Sequence, residues 1–105
     1  MKVVREGHLY GLDFFEEATE DDNQQTIQFI EKQKSDLSGE LVTIRNGTTN
    51  EEVLEMLIDR MQYLQGKFPC RENSIVITNL EESLMWLNKR TEDRKKRNVE
   101  GKAVK

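Results

Sequence analysis

Proline, cysteine, histidine and tryptophan occur once each in these 105 residues. The single Cys70 excludes an internal disulfide and fits a reducing cytoplasm. Cys70 and His8 are the only soft ligands, too few for a cysteine-based zinc site. A Ser-His-Asp or Cys-His centre would need His8 to fold far back from near the N-terminus. The 6 glycines are scattered, so none of them builds a phosphate-binding loop. No run approaches the ~18 apolar residues of a membrane span, and no signal-peptide pattern opens the chain, so no membrane partner is expected. Hydrophobic residues are scarce at 35%, and charged residues abundant at 34%. Ordinary domains hold about 45–50% and about 25%, the first figure counting glycine. A lone chain of this size would bury about two-thirds of its unfolded surface, enough for one small core. So polar a chain points to a helical or oligomeric assembly, and we expect one domain over residues 1–105.

Charge is unevenly spread over a formal net of −4. Residues 1–60 carry 6 Lys/Arg against 14 Asp/Glu, while residues 61–105 carry 10 against 6. The negative total argues against a general nucleic-acid binder, and no DNA partner is expected. An acidic front and a basic back suggest self-association, an anionic ligand held by the back half, or a solvated basic tail.

The front, residues 1–46, reads as β-rich. Leu9 to Phe15, Thr26 to Glu31 and Leu41 to Arg45 read as three short strands, the last two alternating at Ile27 and Phe29 and at Val42 and Ile44. A three-stranded antiparallel sheet is the expected product. Glu16 to Gln25 reads as an acidic loop, and Lys32 to Glu40 as a turn cluster. Asn46-Gly47 predicts a turn that tolerates positive φ.

The period then changes to that of a helical hairpin over 47–98. Thr49 followed by Glu52 is a capping box. Val53, Leu54, Leu57, Ile58, Met61 and Leu64 recur at helical spacing, with Met56 off the stripe. Gly66 is expected to stop this helix at its C′ position. Pro69 opens the next one, from inside or just before its first turn. No Gly or Pro interrupts Cys70 to Arg97, a helix of about 42 Å. Its stripe is Ile77, Leu80, Leu84 and Leu87, widened by Ile75, Val76 and Trp86. So short a connection makes the two helices antiparallel. Residues 99–105 read as a tail. The fold class is therefore α+β: a small antiparallel sheet, then an antiparallel helical hairpin with a long second helix.

Asp21-Asp22-Asn23 lacks a spaced carboxylate at an EF-hand position, and Cys70 has no base beside it, so neither makes a metal or catalytic site. What remains is a binding geometry. Arg90 and Arg94 are one turn apart, and two guanidinium forks at that spacing can grip two phosphates. They can equally pair with Glu51, Glu52 or the acidic loop across an oligomer interface. Asn73 lies four residues before Ile77, where it can read a base edge or ribose, or serve as a first-turn polar residue. Tyr63 offers a ring on which a base could stack, or is a half-buried core aromatic. The Asn46 to Thr49 turn could hold an anion, or simply cap the helix. Asn73 and Arg90 are about 25 Å apart along one helix, so one small ligand reaches both only if a second chain completes the site.

Cys70-Arg71-Glu72-Asn73-Ser74, Ile77-Thr78-Asn79-Leu80-Glu81-Glu82 and Met85-Trp86-Leu87-Asn88-Lys89-Arg90-Thr91 closely resemble, with Asp93-Arg94 and Val99-Glu100-Gly101, the helical hairpin of phage cyclic-nucleotide sponges. That hairpin is shared by anti-Thoeris and anti-CBASS sponges. The strand leading into Ile44 to Leu54 resembles the anti-Thoeris branch. The resemblance implies a protein that is not an enzyme, has no cofactor, and works in the cytoplasm of the infected bacterial host. It implies capture of cyclic ADP-ribose isomers without cleavage, which blocks Thoeris defence, and for some members capture of cyclic di- and trinucleotides. It also implies a homo-oligomer, dimer or hexamer, with pockets at subunit junctions. Its site residues carry over as Tyr63 stacking adenine, Asn73 bonding base or ribose, and Arg90 with Arg94 clamping the diphosphate. Where the resemblance leads one to expect a Ser cap on the second helix, this chain has Cys70. The competing reading is a phage-encoded helical module that binds a host protein.

Overall fold

The structure is a computed structural model, and it describes residues 1–97. The tail expected over 99–105 and the last residue of the expected 47–98 hairpin lie outside the described residues. The chain forms two compact units, Met1–Thr48 and a second beginning at Thr49. Antiparallel strands fill the first and two helices the second, an α+β chain as the periodicities predict.

The first unit holds five strands rather than three: β1 (Lys2–Arg5), β2 (Leu9–Leu12), β3 (Gln25–Gln28), β4 (Glu31–Lys34) and β5 (Leu41–Arg45). They form two sheets, β1-β2-β3 and β4-β5, with every ladder antiparallel. The additional strands are β1, whose only apolar residues are Val3 and Val4, and β4. Glu31-Lys32-Gln33-Lys34 has no apolar residue to alternate, so its strand state comes from pairing with β5. The strand expected to run from Thr26 to Glu31 instead breaks around Phe29. There the chain leaves β2 and turns to Thr48: Ile30 N–H donates to Thr48 O at 2.9 Å, and Thr48 N–H to Gln28 O at 2.8 Å.

Gly47 sits inside this crossing, and its role differs from the expected one. Positive φ occurs at Gly7 and Gly39, the turn glycines of the two hairpins, and not at Gly47. A Cβ on Gly47 would instead stand 2.5 Å from Gln28 O and 2.6 Å from the Phe29 carbonyl carbon. The position requires glycine because another backbone passes against it.

Glu31 ties the two sheets of this unit together. Its carboxylate accepts from Arg5 of β1 at 2.7 Å and from Arg45 of β5 at 3.2 Å. Tyr10 and Phe29 meet edge to face, with centroids 5.9 Å apart. Val42 and Ile44, the apolar alternation of β5, are nearly half exposed at 46% and 45%.

The second unit comprises α1 (Asn50–Lys67) and α2 (Arg71–Lys96). Thr49 caps α1 as expected, its Oγ1 accepting from Glu52 N–H at 3.2 Å. Gly66 does not end the helix; it lies within it. The stop belongs to Phe68, which precedes Pro69 and adopts φ −136° and ψ 74°. The proline ring excludes the helical region for the residue before it. Cys70 is then the N-cap of α2, with Sγ accepting from Asn73 N–H at 3.4 Å. Gln65 staples the turn: its amide donates to Cys70 O and Ser74 Oγ and accepts from Cys70 N–H.

Packing between the helices follows the predicted period. The half-buried residues of α2 are Asn73, Ile77, Leu80, Leu84, Leu87, Thr91 and Arg94, in alternating steps of four and three. That is the seam of an antiparallel coiled coil. On α1, Val53, Leu54, Ile58, Met61 and Leu64 are half-buried, whereas Leu57 is exposed. Among the described residues no side chain is fully buried.

Candidate functional site

The hairpin separates the four expected site residues into two groups. Tyr63 lies near the end of α1 and Asn73 in the first turn of α2, both at the hairpin turn. Arg90 and Arg94 lie in the last turns of α2, about 25 Å from Asn73 along the axis. Tyr63 is 57% exposed, and Lys67 Nζ sits 5.4 Å from its ring centroid. It is thus no core aromatic within this unit. Asn73 is half-buried, its N–H held by the Cys70 cap.

Arg90 and Arg94 share an open hollow of about 610 Å³. Trp86, Lys89, Asp93 and Arg97 complete its lining. Four cations and one carboxylate give the hollow a net positive charge. Arg94 continues the half-buried seam, while Arg90 stands beside it, exposed. Arg90 forms no ion pair among the described residues.

A hollow of similar volume, about 620 Å³, lies between α1 and α2. Ile58, Leu84 and Met85 supply its apolar lining, but Glu55, Asp59, Glu81 and Glu92 outnumber its one cation, Lys89. Carboxylates repel a phosphate, so charge rather than volume selects the Arg90–Arg94 hollow for an anion. A third, smaller hollow borders Arg71 and Ile75 at the start of α2.

Trp86 is the residue whose place departs most from the sequence expectation. Its apolar character assigns it to the stripe with Ile75 and Val76; all three are exposed, Trp86 at 55%. Its position two residues past Leu84 takes it off the 3-4 line. Its spacing of four from Arg90 is the signal that could have found it, placing it on the same ridge as the guanidinium. Lys89 Nζ stands 5.1 Å from its ring centroid.

Nothing in the described residues resembles a metal centre: no group of three or more His, Cys, Asp or Glu could hold an ion. His8 belongs to the β1–β2 turn, its Nδ1 3.0 Å from Glu6 O. Asp22 is engaged locally, accepting from Thr19 N–H at 2.8 Å. No described helix is long and apolar enough to cross a membrane.

The family model described as "Acb2/Tad1, hairpin domain" matches residues 21–92. The chain belongs to the Acb2/Tad1 hairpin family. The match takes in most of the helical seam together with Tyr63, Asn73, Trp86 and Arg90; Arg94 lies two residues past its end. Among its relatives is "Thoeris anti-defense 1" of Bacillus phage SBSphiJ7, 47% identical over 78 residues. The alignment covers 63% of this chain and 55% of the relative, so the chain spans about half the length of the curated relative it matches. The hairpin resemblance, quoted from Cys70 to Gly101, and this family match overlap over residues 70–92.

Proposed function

We propose that this chain is a phage anti-defence protein that sequesters cyclic ADP-ribose-type signalling nucleotides and so blocks the Thoeris defence of the host bacterium. The observation that carries the reading is the arginine pair: Arg90 and Arg94, one turn apart in a net-positive hollow at the end of α2. Two guanidiniums at that spacing match a diphosphate, each able to bind bidentately. The name of the phage relative supports the anti-defence part. In this reading the hollow holds its ligand without cleaving it.

Tyr63 and Asn73 serve the same ligand in this reading, but from a second copy. One chain holds them about 25 Å from the arginines. An antiparallel pairing of two hairpins brings the turn end of one to the Arg end of the other. The lack of any fully buried side chain among the described residues supports such an assembly, because the core is then finished between copies. We take the protein to act as a homo-oligomer in the cytoplasm of the infected cell. Cyclic di- and trinucleotides are further ligands of the same chemistry.

Calorimetry of the purified protein against a cyclic ADP-ribose isomer tests this. We expect saturable heat, followed by recovery of the intact ligand after thermal denaturation and chromatography. Conversion of the ligand would make the protein an enzyme. Absence of heat with every cyclic adenine nucleotide would leave the hairpin as a surface for a host protein.

A further inference from the structure

The arginines account for the phosphates of such a ligand and leave the exposed indole beside them unexplained. We infer that Trp86 is a stacking platform of the Arg90–Arg94 hollow, a second flat surface, beside Tyr63 of the other copy, for the purine base of the nucleotide whose diphosphate the arginines grip. The inference rests on the sequestration reading and adds a specificity residue to it.

Three observations carry it. First, Trp86 is not part of the helix seam. The seam runs through Leu84 and Leu87, and Trp86 projects from another ridge with 55% of its surface exposed. A large aromatic left in water contributes little to the stability of this unit. Second, it borders the cationic hollow itself, one helical turn before Arg90. One ribose separates a base from its first phosphate, a span comparable to one turn of about 5.4 Å. The order Trp86, Arg90, Arg94 along α2 therefore follows the order base, phosphate, phosphate. Third, Lys89 Nζ lies 5.1 Å from the ring centroid, a cation–π contact between two residues that both line the hollow. Asp93, the hollow's carboxylate, stands between the arginines in sequence and suits ribose hydroxyls, which donate to it.

Charge and shape together specify the occupant. Lys89, Arg90, Arg94 and Arg97 call for an anion, and the indole calls for a flat heterocycle. Inorganic phosphate satisfies only the first demand. Trp86 thus distinguishes a nucleotide from a simple polyanion, and its loss should affect purine ligands far more than pyrophosphate.

Trp86 is the single tryptophan of the chain, so its emission reports on this position alone. The test titrates a cyclic ADP-ribose isomer into the full chain and follows heat and tryptophan emission together. We expect emission to change in step with the heat. Trp86→Leu should weaken binding about tenfold or more, and Trp86→Phe should recover most of the loss. Helix content and oligomeric mass should stay unchanged in both variants. Wild-type heat with unaltered emission and undiminished binding in Trp86→Leu would overturn the inference while leaving sequestration standing. A change of oligomeric mass in Trp86→Leu, with binding by the surviving species intact, would also overturn it and assign the ring to a contact between copies. Absence of heat in the wild type would overturn the sequestration reading itself, and this inference with it.

Discussion

The β unit and the helical hairpin are built on different principles. In the hairpin the organising signals are local: a cap at Thr49, a proline stop after Phe68, and a seam repeating every three or four residues. In the β unit they are distant in sequence. Thr48 bonds the Gln28–Ile30 segment, Glu31 gathers Arg5 and Arg45, and β4 exists because β5 pairs with it. The hairpin also carries the basic hollow, whereas the acidic loop and most of the front's carboxylates lie in the β unit. The difference teaches that ligand chemistry and fold stability can be attacked separately in this chain.

The largest effect should come from the hollow. Arg90→Ala with Arg94→Ala removes two sets of charge-assisted hydrogen bonds, each worth about 1.5–3 kcal/mol. Capture of a cyclic ADP-ribose isomer should fall at least about 100-fold by calorimetry, with helix content retained by circular dichroism. Unchanged capture would refute the assignment of the arginines and remove the functional half of the comparison.

Gly47→Ala should give the largest loss of stability. A Cβ 2.5 Å from Gln28 O forces the crossing apart, at a cost of about 2–3 kcal/mol. Circular dichroism should show the strand signal melting earlier while the helical signal holds. Simultaneous loss of both would mean that the two units unfold as one, and the comparison would fail there.

Glu31→Gln is milder. It leaves Arg5 and Arg45 without their shared carboxylate, 18% exposed in the native chain. A loss of about 1 kcal/mol in denaturant unfolding is expected, and it should shrink at high salt. Salt-independent loss would point to packing rather than charge.

Cys70→Ser should have the smallest effect, and in the opposite direction. A hydroxyl caps α2 better than the thiol now accepting from Asn73 at 3.4 Å. A gain of about 0.5 kcal/mol in hairpin stability is expected from thermal melts, with ligand binding unaltered.

Much of the hairpin is legible in the order of its residues. Ile77, Leu80, Leu84 and Leu87 set its seam, and the same count places Asn73 and Arg94 on it. Thr49 announces its start. The β unit is legible only where apolar residues alternate, as in Ile27 and Val42. Glu31–Lys34 carries no such mark, and Lys2–Arg5 carries two adjacent valines rather than an alternation. Three residues mislead a local reading. Gly66 looks like a helix stop, yet Pro69 acts through Phe68. Gly47 looks like a positive-φ turn, yet it makes room for a neighbouring backbone. Trp86 looks like core, yet it borders the hollow.

By itself, then, the sequence determined the hairpin's period, the Thr49 cap at its start, the arginine pair one turn apart, and the family to which they belong. These depend on residues within a few positions of one another, where helix geometry leaves one arrangement. Only the tertiary structure decided which strands pair, why Gly47 must lack a side chain, and that Trp86 is left in the open. Those depend on which distant segments approach and on which side of a helix its partner leaves bare. Local spacing constrains neither, because both are settled when the chain closes on itself.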